Sequence, residues 1–193
     1  MINKDQFLEV AISKFTKFGC KRFTLDDLAH EMGVSKKTIY ESFSTKEAIV
    51  SESLNFLLNK IDLEFINIIK EEENPILSII KIYKIGLNYL KSFSPAYIMG
   101  LKKYYPKSYI IYSEFKVKVV QNHVKNLLEI AQEQKYIKAN LNIQLFCNLY
   151  FMRLDNILFG TDNLFELYTV DNILEQLITN SLRGVCTDQF KID

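Results

Sequence analysis

Apolar residues recur at helical spacing along almost the whole of this 193-residue chain, and few residues interrupt the pattern. Only 6 Gly and 3 Pro are present, too few for a turn-rich β-sandwich or a low-complexity chain. No Asn-Gly or Asp-Gly hairpin turn occurs, and apolar and polar residues never alternate over a long stretch. The pattern therefore predicts an all-α protein with about nine helices.

Capping residues set the expected helix boundaries. Asn74-Pro75 and Ser94-Pro95 are pairs of an N-cap and a first-turn proline, and Pro106 begins a further periodic segment. Gly33 lies where a short periodic segment ends, as a C-terminal stop does. The predicted helices lie near residues 4–18, 25–32, 35–42, 45–71, 75–92, 95–104, 106–135, 142–159 and 166–184.

The overall charge is balanced, with 24 Lys and Arg against 23 Asp and Glu. A formal net charge of +1 excludes a polycation that binds nucleic acid by bulk attraction, but it leaves room for a local basic patch. The 3 cysteines are odd in number and widely spaced, which favours reduced thiols. Because the N-terminus lacks a signal peptide and no apolar run is long enough to span a bilayer, we expect a cytoplasmic protein with no membrane partner.

Residues 24–40 carry the most specific local pattern in the chain. Thr24 with Asp27 three residues later predicts a capping box at the start of a short helix. Gly33 then suits a left-handed residue at the helix end, and Ser35 can cap the next helix. Two short helices joined by a tight turn, with the small Ala29 at their crossing, predict a helix-turn-helix.

The second of these helices has the chemistry of a DNA-reading element. It begins with hydroxyl and ammonium groups, which suit phosphate oxygens and the base edges of a major groove. Ser44 to Glu47 read as a second capping box, which places Lys46 in the first turn of the fourth helix. A cation there opposes the helix dipole, so we expect it to face a phosphate. Lys21 and Arg22 lie close by in the sequence.

This region resembles the DNA-binding domain of TetR-type transcriptional regulators. The resemblance covers residues 7–50, about a quarter of the chain. Lys37 and Ser42 depart from the usual family residues, which leaves the operator sequence unassigned. Met32 lies within the matching run but stands where the family usually has Ala. The residues that match are Ala11, Phe15, Phe18, Gly19, Phe23, Thr24, Leu28, Ala29, Met32–Ser35, Thr38–Tyr40, Phe43, Lys46 and Glu47.

The resemblance implies a homodimeric repressor that binds a palindromic operator and is released by a small-molecule effector. It implies a helix-turn-helix DNA-binding domain at residues 1–46 and a helical ligand-binding and dimerisation domain at residues 47–193. In such a protein the effector would tilt the long fourth helix and change the separation of the two recognition helices. The residues similar to the family's DNA contacts are Thr24, Ser35, Lys36, Lys37, Thr38, Tyr40 and Lys46.

Apolar residues near the C-terminus follow helical spacing on two successive predicted helices. This stripe fits either an intramolecular core or a four-helix dimer interface, and the resemblance favours the interface. The predicted interface residues are Leu149, Met152, Asn156, Phe159, Ile173, Leu174, Leu177, Ile178 and Ser181.

Aromatic residues are concentrated in the middle of the chain, where phenols suit the wall of a small-molecule pocket. Each of them alone is as well explained as a packing residue. Together they predict a site for an uncharged or aromatic effector, and Lys102 and Lys103 nearby leave an anionic effector as the alternative. The predicted pocket residues are Tyr83, Tyr89, Phe93, Tyr97, Tyr112, Phe115, His123 and Tyr150.

An enzyme and a helical protein-interaction adaptor are the two other classes of protein that the sequence could encode. An enzyme is disfavoured because the chain has no nucleophile elbow, phosphate-binding loop or dinucleotide turn, and we expect neither a metal nor a cofactor. The Asp27 to His30 spacing has no partner that would complete a metal site. A helical protein-interaction adaptor that does not bind specific DNA remains the alternative.

Overall fold

The computed structural model describes residues 3–150 and 163–191, and both ranges are built from helices. The only β-type pairing in these ranges is one isolated antiparallel bridge, between Ile137 and Cys186, so the predicted all-α class is confirmed. The helical elements are α1 (Lys4–Phe18), α2 (Leu25–Glu31), α3 (Lys36–Ser42), α4 (Lys46–Glu71), α5 (Pro75–Ser92), α6 (Pro95–Tyr104), α7 (Pro106–Lys118), a π-helical turn (Val119–Val124), α8 (Lys125–Glu133), α9 (Ile143–Tyr150), α10 (Leu164–Leu167), α11 (Val170–Leu174), a second π-helical turn (Glu175–Thr179) and α12 (Asn180–Val185).

Hydrogen bonds confirm the predicted N-caps Asn74 and Ser94. The Asn74 side-chain oxygen accepts from the backbone N–H of Ile76 at 2.9 Å and of Leu77 at 3.1 Å. The Ser94 hydroxyl accepts from the backbone N–H of Tyr97 at 3.2 Å. These side chains satisfy N–H groups that have no partner inside the helix, and so they fix where α5 and α6 begin.

Two predicted helices are less regular than the sequence pattern indicated. The run predicted at 106–135 is interrupted by the first π-helical turn, and the one predicted at 166–184 begins only at Val170. The Thr169 hydroxyl accepts from the backbone N–H of Asn172 at 3.2 Å and caps this later start. A π turn adds one residue without removing the helical repeat, which is why periodicity alone did not reveal it. Of the helix predicted at 142–159, only the part up to Tyr150 lies within the described residues.

The chain forms two compact units. The first contains Met1–Ile61 and Ser92–Phe115. In its core Phe7 stacks on Phe43 with ring centroids 4.9 Å apart, and both side chains are almost fully buried. Burying an aromatic side chain of this kind contributes about 1.5–3 kcal/mol. The backbone N–H of Ser94 donates to the Thr16 carbonyl at 2.8 Å and fixes the start of α6 against the end of α1.

The second unit contains Asp62–Lys91 and Lys116–Asp193. Its Asp62 carboxylate accepts from the Lys118 ammonium at 2.6 Å and lies 2.9 Å from the His123 ring nitrogen. Lys118 and His123 together hold the pKa of Asp62 below its usual range against the effect of its burial. This cluster ties α4 to the first π-helical turn. The predicted division at residues 46 and 47 differs from both units and stays a proposal about function.

No helix among the described residues is long and apolar enough to cross a membrane. Within the same ranges, no group of three His, Cys, Asp or Glu side chains is placed to hold a metal ion. Cys20, Cys147 and Cys186 are all free thiols.

Candidate nucleic-acid interface

The α2–turn–α3 segment has the geometry of a helix-turn-helix. Gly33 adopts a left-handed conformation at φ +63°, which glycine reaches without steric penalty. Its backbone N–H donates to the His30 carbonyl at 3.1 Å, and the N–H of Val34 donates to the Ala29 carbonyl at 3.0 Å. These two bonds close the end of α2 and turn the chain into α3. Ile39 is fully buried and anchors α3 in the core.

The start of α2 is held by the predicted capping box. The backbone N–H of Thr24 donates to the Asp27 carboxylate at 2.7 Å, and the N–H of Asp27 donates to the Thr24 hydroxyl at 3.2 Å. The hydroxyl also donates to the same carboxylate at 2.8 Å. These bonds from Thr24 lower the pKa of Asp27, which therefore stays ionised at neutral pH. Thr24 itself is exposed at the helix terminus.

The start of α3 is capped by Ser35. Its hydroxyl accepts from the backbone N–H of Thr38 at 3.1 Å and lies 2.8 Å from the Thr38 hydroxyl. The remaining N–H groups of the first turn have no partner within the helix and point outward with the helix dipole. A helix of this kind presents partial positive charge where a DNA phosphate or base edge can approach.

Beyond the cap, α3 exposes two cations and a phenol. Lys36 forms an ion pair with Asp26 of α2 at 2.7 Å, and both side chains are largely exposed. Lys37 has no hydrogen bond or ion pair among the described residues. Tyr40 is 52% exposed, although aromatic side chains are usually buried. The exposed face of α3 therefore combines positive charge with one aromatic hydrogen-bonding group.

Lys46 has an intramolecular partner that the sequence did not reveal. Its ammonium donates to the Phe23 carbonyl at 2.7 Å and lies 5.9 Å from the centre of the Phe15 ring. Partial burial lowers the pKa of this ammonium. Because the Phe23 carbonyl accepts from the ammonium, the position of Lys46 in the first turn is explained without a phosphate. A DNA contact by Lys46 stays a prediction.

The cap of α4 also differs from the expectation. The Thr45 hydroxyl accepts from the backbone N–H of Ala48 at 3.1 Å, so Thr45 is the N-cap rather than Ser44. Glu47 therefore occupies the second helical position and cannot complete a capping box. The shift of one residue leaves Lys46 at the first position of the helix.

Comparisons with known proteins agree with this geometry. A family model described as "Bacterial regulatory proteins, tetR family" matches residues 7–52, which include the helix-turn-helix and the start of α4. The HTH-type transcriptional regulator YvaF of Bacillus subtilis is 25% identical over 168 residues, covering 86% of this chain and 87% of YvaF. The DNA-binding part of the chain, residues 7–52, is therefore that of a TetR-type transcriptional regulator. TetR-family regulators bind DNA and small-molecule effectors.

Two further similarities extend beyond the regulator's helix-turn-helix. The regulator is 24% identical over 165 residues to IcaR of Staphylococcus aureus, a negative regulator of the biofilm operon, covering 72% of this chain and 85% of IcaR. Its fold matches FadR of Bacillus subtilis, solved in complex with stearoyl-CoA, with a TM-score of 0.76 at 16% identity. That match covers 95% of this chain and 100% of FadR, so the similarity in fold extends through the helices that follow α4.

The regulator's predicted dimer residues fall into three groups. Ile173, Leu174 and Ile178 are buried within a single chain, which favours a role in its own core. Leu149 is largely exposed, and Leu177 and Ser181 are partly exposed. Met152, Asn156 and Phe159 lie outside the described residues.

The predicted pocket residues are divided between the two compact units. Phe93, Tyr97, Tyr112 and Phe115 belong to the first, while Tyr83, Tyr89 and His123 belong to the second. Phe93 and Tyr97 meet edge to face with ring centroids 5.4 Å apart. The Tyr89 hydroxyl donates to Glu64 at 2.5 Å, and His123 contacts Asp62. The side chain of Tyr150 lies outside the described residues.

The basic residues that precede α2 were not among the predicted DNA contacts. Lys17 and Arg22 line an open cleft of about 440 Å³ beside the capping box, together with Phe18, Phe23 and Asp27. The available signal was the run of basic residues between α1 and α2. The sequence could not show that these residues line a cleft, because the cleft is completed by Ser94 and Ala96 at the start of α6, which are distant in the sequence.

Proposed function

We propose that this regulator is a repressor that binds a palindromic operator as a homodimer, inserts α3 into the major groove, and is released by a small-molecule effector. The exposed face of α3, with an unpaired Lys37 and an exposed Tyr40 beside the Ser35 cap, is the observation that carries the proposal. The negative regulator IcaR supports repression, since it shares sequence with most of this chain.

Some of the proposed DNA contacts would bind the phosphate backbone, and others would reach the base edges in the major groove. Thr24 and the start of α2 would contact backbone phosphates, which set register but carry no sequence information. Lys37 and Tyr40 would reach further into the groove. Lys36 would exchange its exposed partner Asp26 for a phosphate, at little loss because exposed ion pairs contribute only about 0–1 kcal/mol.

Dimerisation is proposed because a palindromic site needs two recognition helices about 34–36 Å apart. Exposed apolar side chains near the C-terminus support a subunit surface there: Leu145 and Leu149 on α9 are more than half exposed, as is Leu167 on α10. We therefore place the interface on these exposed side chains with Leu177 and Ser181, rather than on the buried Ile173, Leu174 and Ile178.

The effector is proposed to contact Tyr97 on α6. The Tyr97 side chain is fully buried, and its hydroxyl has no hydrogen-bond partner among the described residues. A buried hydroxyl without a partner is unfavourable, so an apolar effector with one polar group would stabilise it. The fold neighbour FadR, which holds stearoyl-CoA, supports an effector with a large apolar part.

Contacts inside the first unit would carry an effector signal to the DNA-binding helices. α6 begins with the hydrogen bond from Ser94 to the Thr16 carbonyl, and the Tyr105 hydroxyl after its end donates to the Cys20 carbonyl at 3.4 Å. A shift of α6 would therefore displace the end of α1 and the connection to α2. An effector that binds the shifted state more tightly lowers DNA affinity by that difference.

The DNA assignment is tested by fluorescence anisotropy with an operator selected by the unaltered protein from a pool of random duplexes. Tyr40→Ala should lower affinity for this duplex at least tenfold. Tyr168→Ala is the matched control, because Tyr168 is 57% exposed and lies far along the chain from the helix-turn-helix. Equal affinities for all three proteins would contradict the role of α3, and absence of any selected duplex would favour the adaptor.

The effector assignment uses stearoyl-CoA and free stearate as first probes. Binding should raise the melting temperature and lower operator affinity, and Tyr97→Phe should weaken both effects without changing DNA binding in the absence of the probe. A probe that stabilises the wild-type and Tyr97→Phe proteins equally would show that Tyr97 is not the contact.

A further inference from the structure

Some cations of the first compact unit form ion pairs with carboxylates, and others do not. Four lysines on its outer surface form ion pairs with carboxylates: Lys4 with Glu52, Lys14 with Glu31, Lys36 with Asp26 and Lys60 with Glu9. Four other cations, Lys17, Lys21, Arg22 and Lys103, have no carboxylate within 4.0 Å among the described residues. We call these four the basic cluster. Lys17 lies in the last turn of α1, and Lys21 and Arg22 follow on the connection between α1 and α2.

Aromatic rings separate the cations of the basic cluster. Lys17 lies 5.3 Å from the centre of the Phe18 ring, which stacks on Phe23. Lys21 and Lys103 lie 4.3 and 5.3 Å from the centre of the Tyr104 ring. Hydrogen bonding from these two lysines lowers the pKa of the Tyr104 phenol. The rings hold positive charge at the surface without neutralising it.

The acidic group that lines the same cleft does not neutralise the cluster either. Asp27 lines the same cleft as Lys17 and Arg22, but its carboxylate already accepts two hydrogen bonds from Thr24 in the capping box, one from the backbone N–H and one from the hydroxyl. The connection between α1 and α2 therefore has an excess of positive charge, although the whole chain has a net charge of only +1.

The basic cluster is continuous with the proposed DNA-binding surface. Arg22 and Lys21 precede Thr24 by two and three residues, so an extended chain places their Cα atoms within about 7 and 10 Å of it. Phosphates on one DNA strand follow each other at about 3.4 Å along the helix axis. Basic side chains at these positions would thus meet the phosphates next to the one at the start of α2.

We propose that the basic cluster is a second DNA-binding surface, which contacts backbone phosphates flanking the bases that α3 reads. This inference rests on the proposed function, because it assumes that α2 and α3 face the operator. Lys17 lies beside the Phe18 ring, whereas Lys21 and Lys103 lie beside the Tyr104 ring, so the cations do not share one ring. A row of phosphates fits this arrangement better than a single small anion does. The surface would add affinity without adding sequence preference.

The test combines a change in the protein with a change in the DNA. The variant is Lys21→Ala/Arg22→Ala. The matched control is Lys70→Ala/Lys91→Ala, which removes the same charge from two exposed lysines of the second unit. Each protein is titrated with two duplexes, the minimal selected operator and the same operator extended by about five base pairs on each side. Anisotropy is measured over a range of salt concentrations.

The unaltered protein and the control should bind the extended duplex more tightly and with a steeper dependence on salt. The variant should lose this preference. Each lost phosphate contact lowers the salt slope by about 0.9, so a dimer that loses four contacts should show a decrease of about 3.6 on the extended duplex. Lys21→Arg/Arg22→Lys, which retains both charges, should restore the wild-type slope.

Two results would overturn the inference in distinguishable ways. If the variant keeps the wild-type slope and the preference for the extended duplex, the cluster does not contact DNA while the proposed function stands. If the unaltered protein selects no duplex, the proposed function fails and the inference fails with it. A third result would assign the cluster to a small anion instead. In that case inorganic phosphate raises the melting temperature of the unaltered protein but not that of the variant, and both proteins bind DNA with the same salt slope.

Discussion

Replacing Lys46 by methionine separates its structural role from its predicted DNA contact. Methionine keeps an apolar side chain of similar length but removes the ammonium, which donates to the Phe23 carbonyl and lies 5.9 Å from the centre of the Phe15 ring. The carbonyl belongs to the residue just before the Thr24 cap. We therefore expect Lys46→Met to destabilise the connection between the start of α4 and the start of α2.

The magnitude follows from the geometry of this hydrogen bond. A bond from a charged donor contributes about 1.5–3 kcal/mol. Partial burial of the ammonium, which lowers the pKa of Lys46, opposes part of this gain. We expect a net loss of about 1.5 kcal/mol, which corresponds to about 3–6 °C in melting temperature for a chain of this size.

Thermal and urea denaturation measure the loss, with Lys60→Met as the control. Lys60 lies on the same helix but forms only an exposed ion pair with Glu9 at 3.8 Å, so its replacement should change the free energy of unfolding by about 0–1 kcal/mol. A melting temperature for Lys46→Met within 1 °C of that of Lys60→Met would refute the assignment. The salt slope of operator binding, measured well below the melting temperature, should also fall by about 0.9 for each protomer if Lys46 contacts a phosphate.

Three further changes test the helix-turn-helix. Asp26→Asn releases Lys36 and removes a negative charge from the DNA-facing side, so operator affinity should rise about two- to fivefold by anisotropy; a fall would contradict this. Gly33→Ala should cost about 1–2 kcal/mol in chemical denaturation because of the left-handed backbone, and Gly33→Asn should cost less; equal losses would argue against strain. Because folding lowers the pKa of Asp27, its stabilising effect is present above about pH 3.8 and is lost as the pH falls through the lower folded value. Asp27→Asn should therefore reduce the fall in melting temperature on acidification. If this fall is the same in the variant, the Thr24 hydrogen bonds to Asp27 are not its cause.

The sequence predicted features that depend on neighbouring residues. The capping box of Thr24 and Asp27, the turn at Gly33 and the cap at Ser35 each involve residues no more than about four positions apart. Their side-chain chemistry is therefore visible in the sequence itself. The same holds for the start of α5 after Asn74.

Contacts between distant residues could not be predicted in this way. Lys46 and Phe23 are 23 positions apart, and only the folded chain shows that the ammonium has a partner there. The π-helical turn that contains His123 is held by Asp62, 61 positions away. The apolar stripe that includes Ile173 has the same spacing whether it faces its own core or a partner, so periodicity could not decide between them.

Selection of operator DNA by the purified protein would decide whether α3 reads DNA. We expect the unaltered protein to enrich a palindromic sequence whose half-sites are centred about 34–36 Å apart, and Lys37→Ala/Tyr40→Ala to enrich none. Failure of the unaltered protein to enrich any sequence, or identical enrichment by both proteins, would contradict the assignment of α3 as the element that reads DNA.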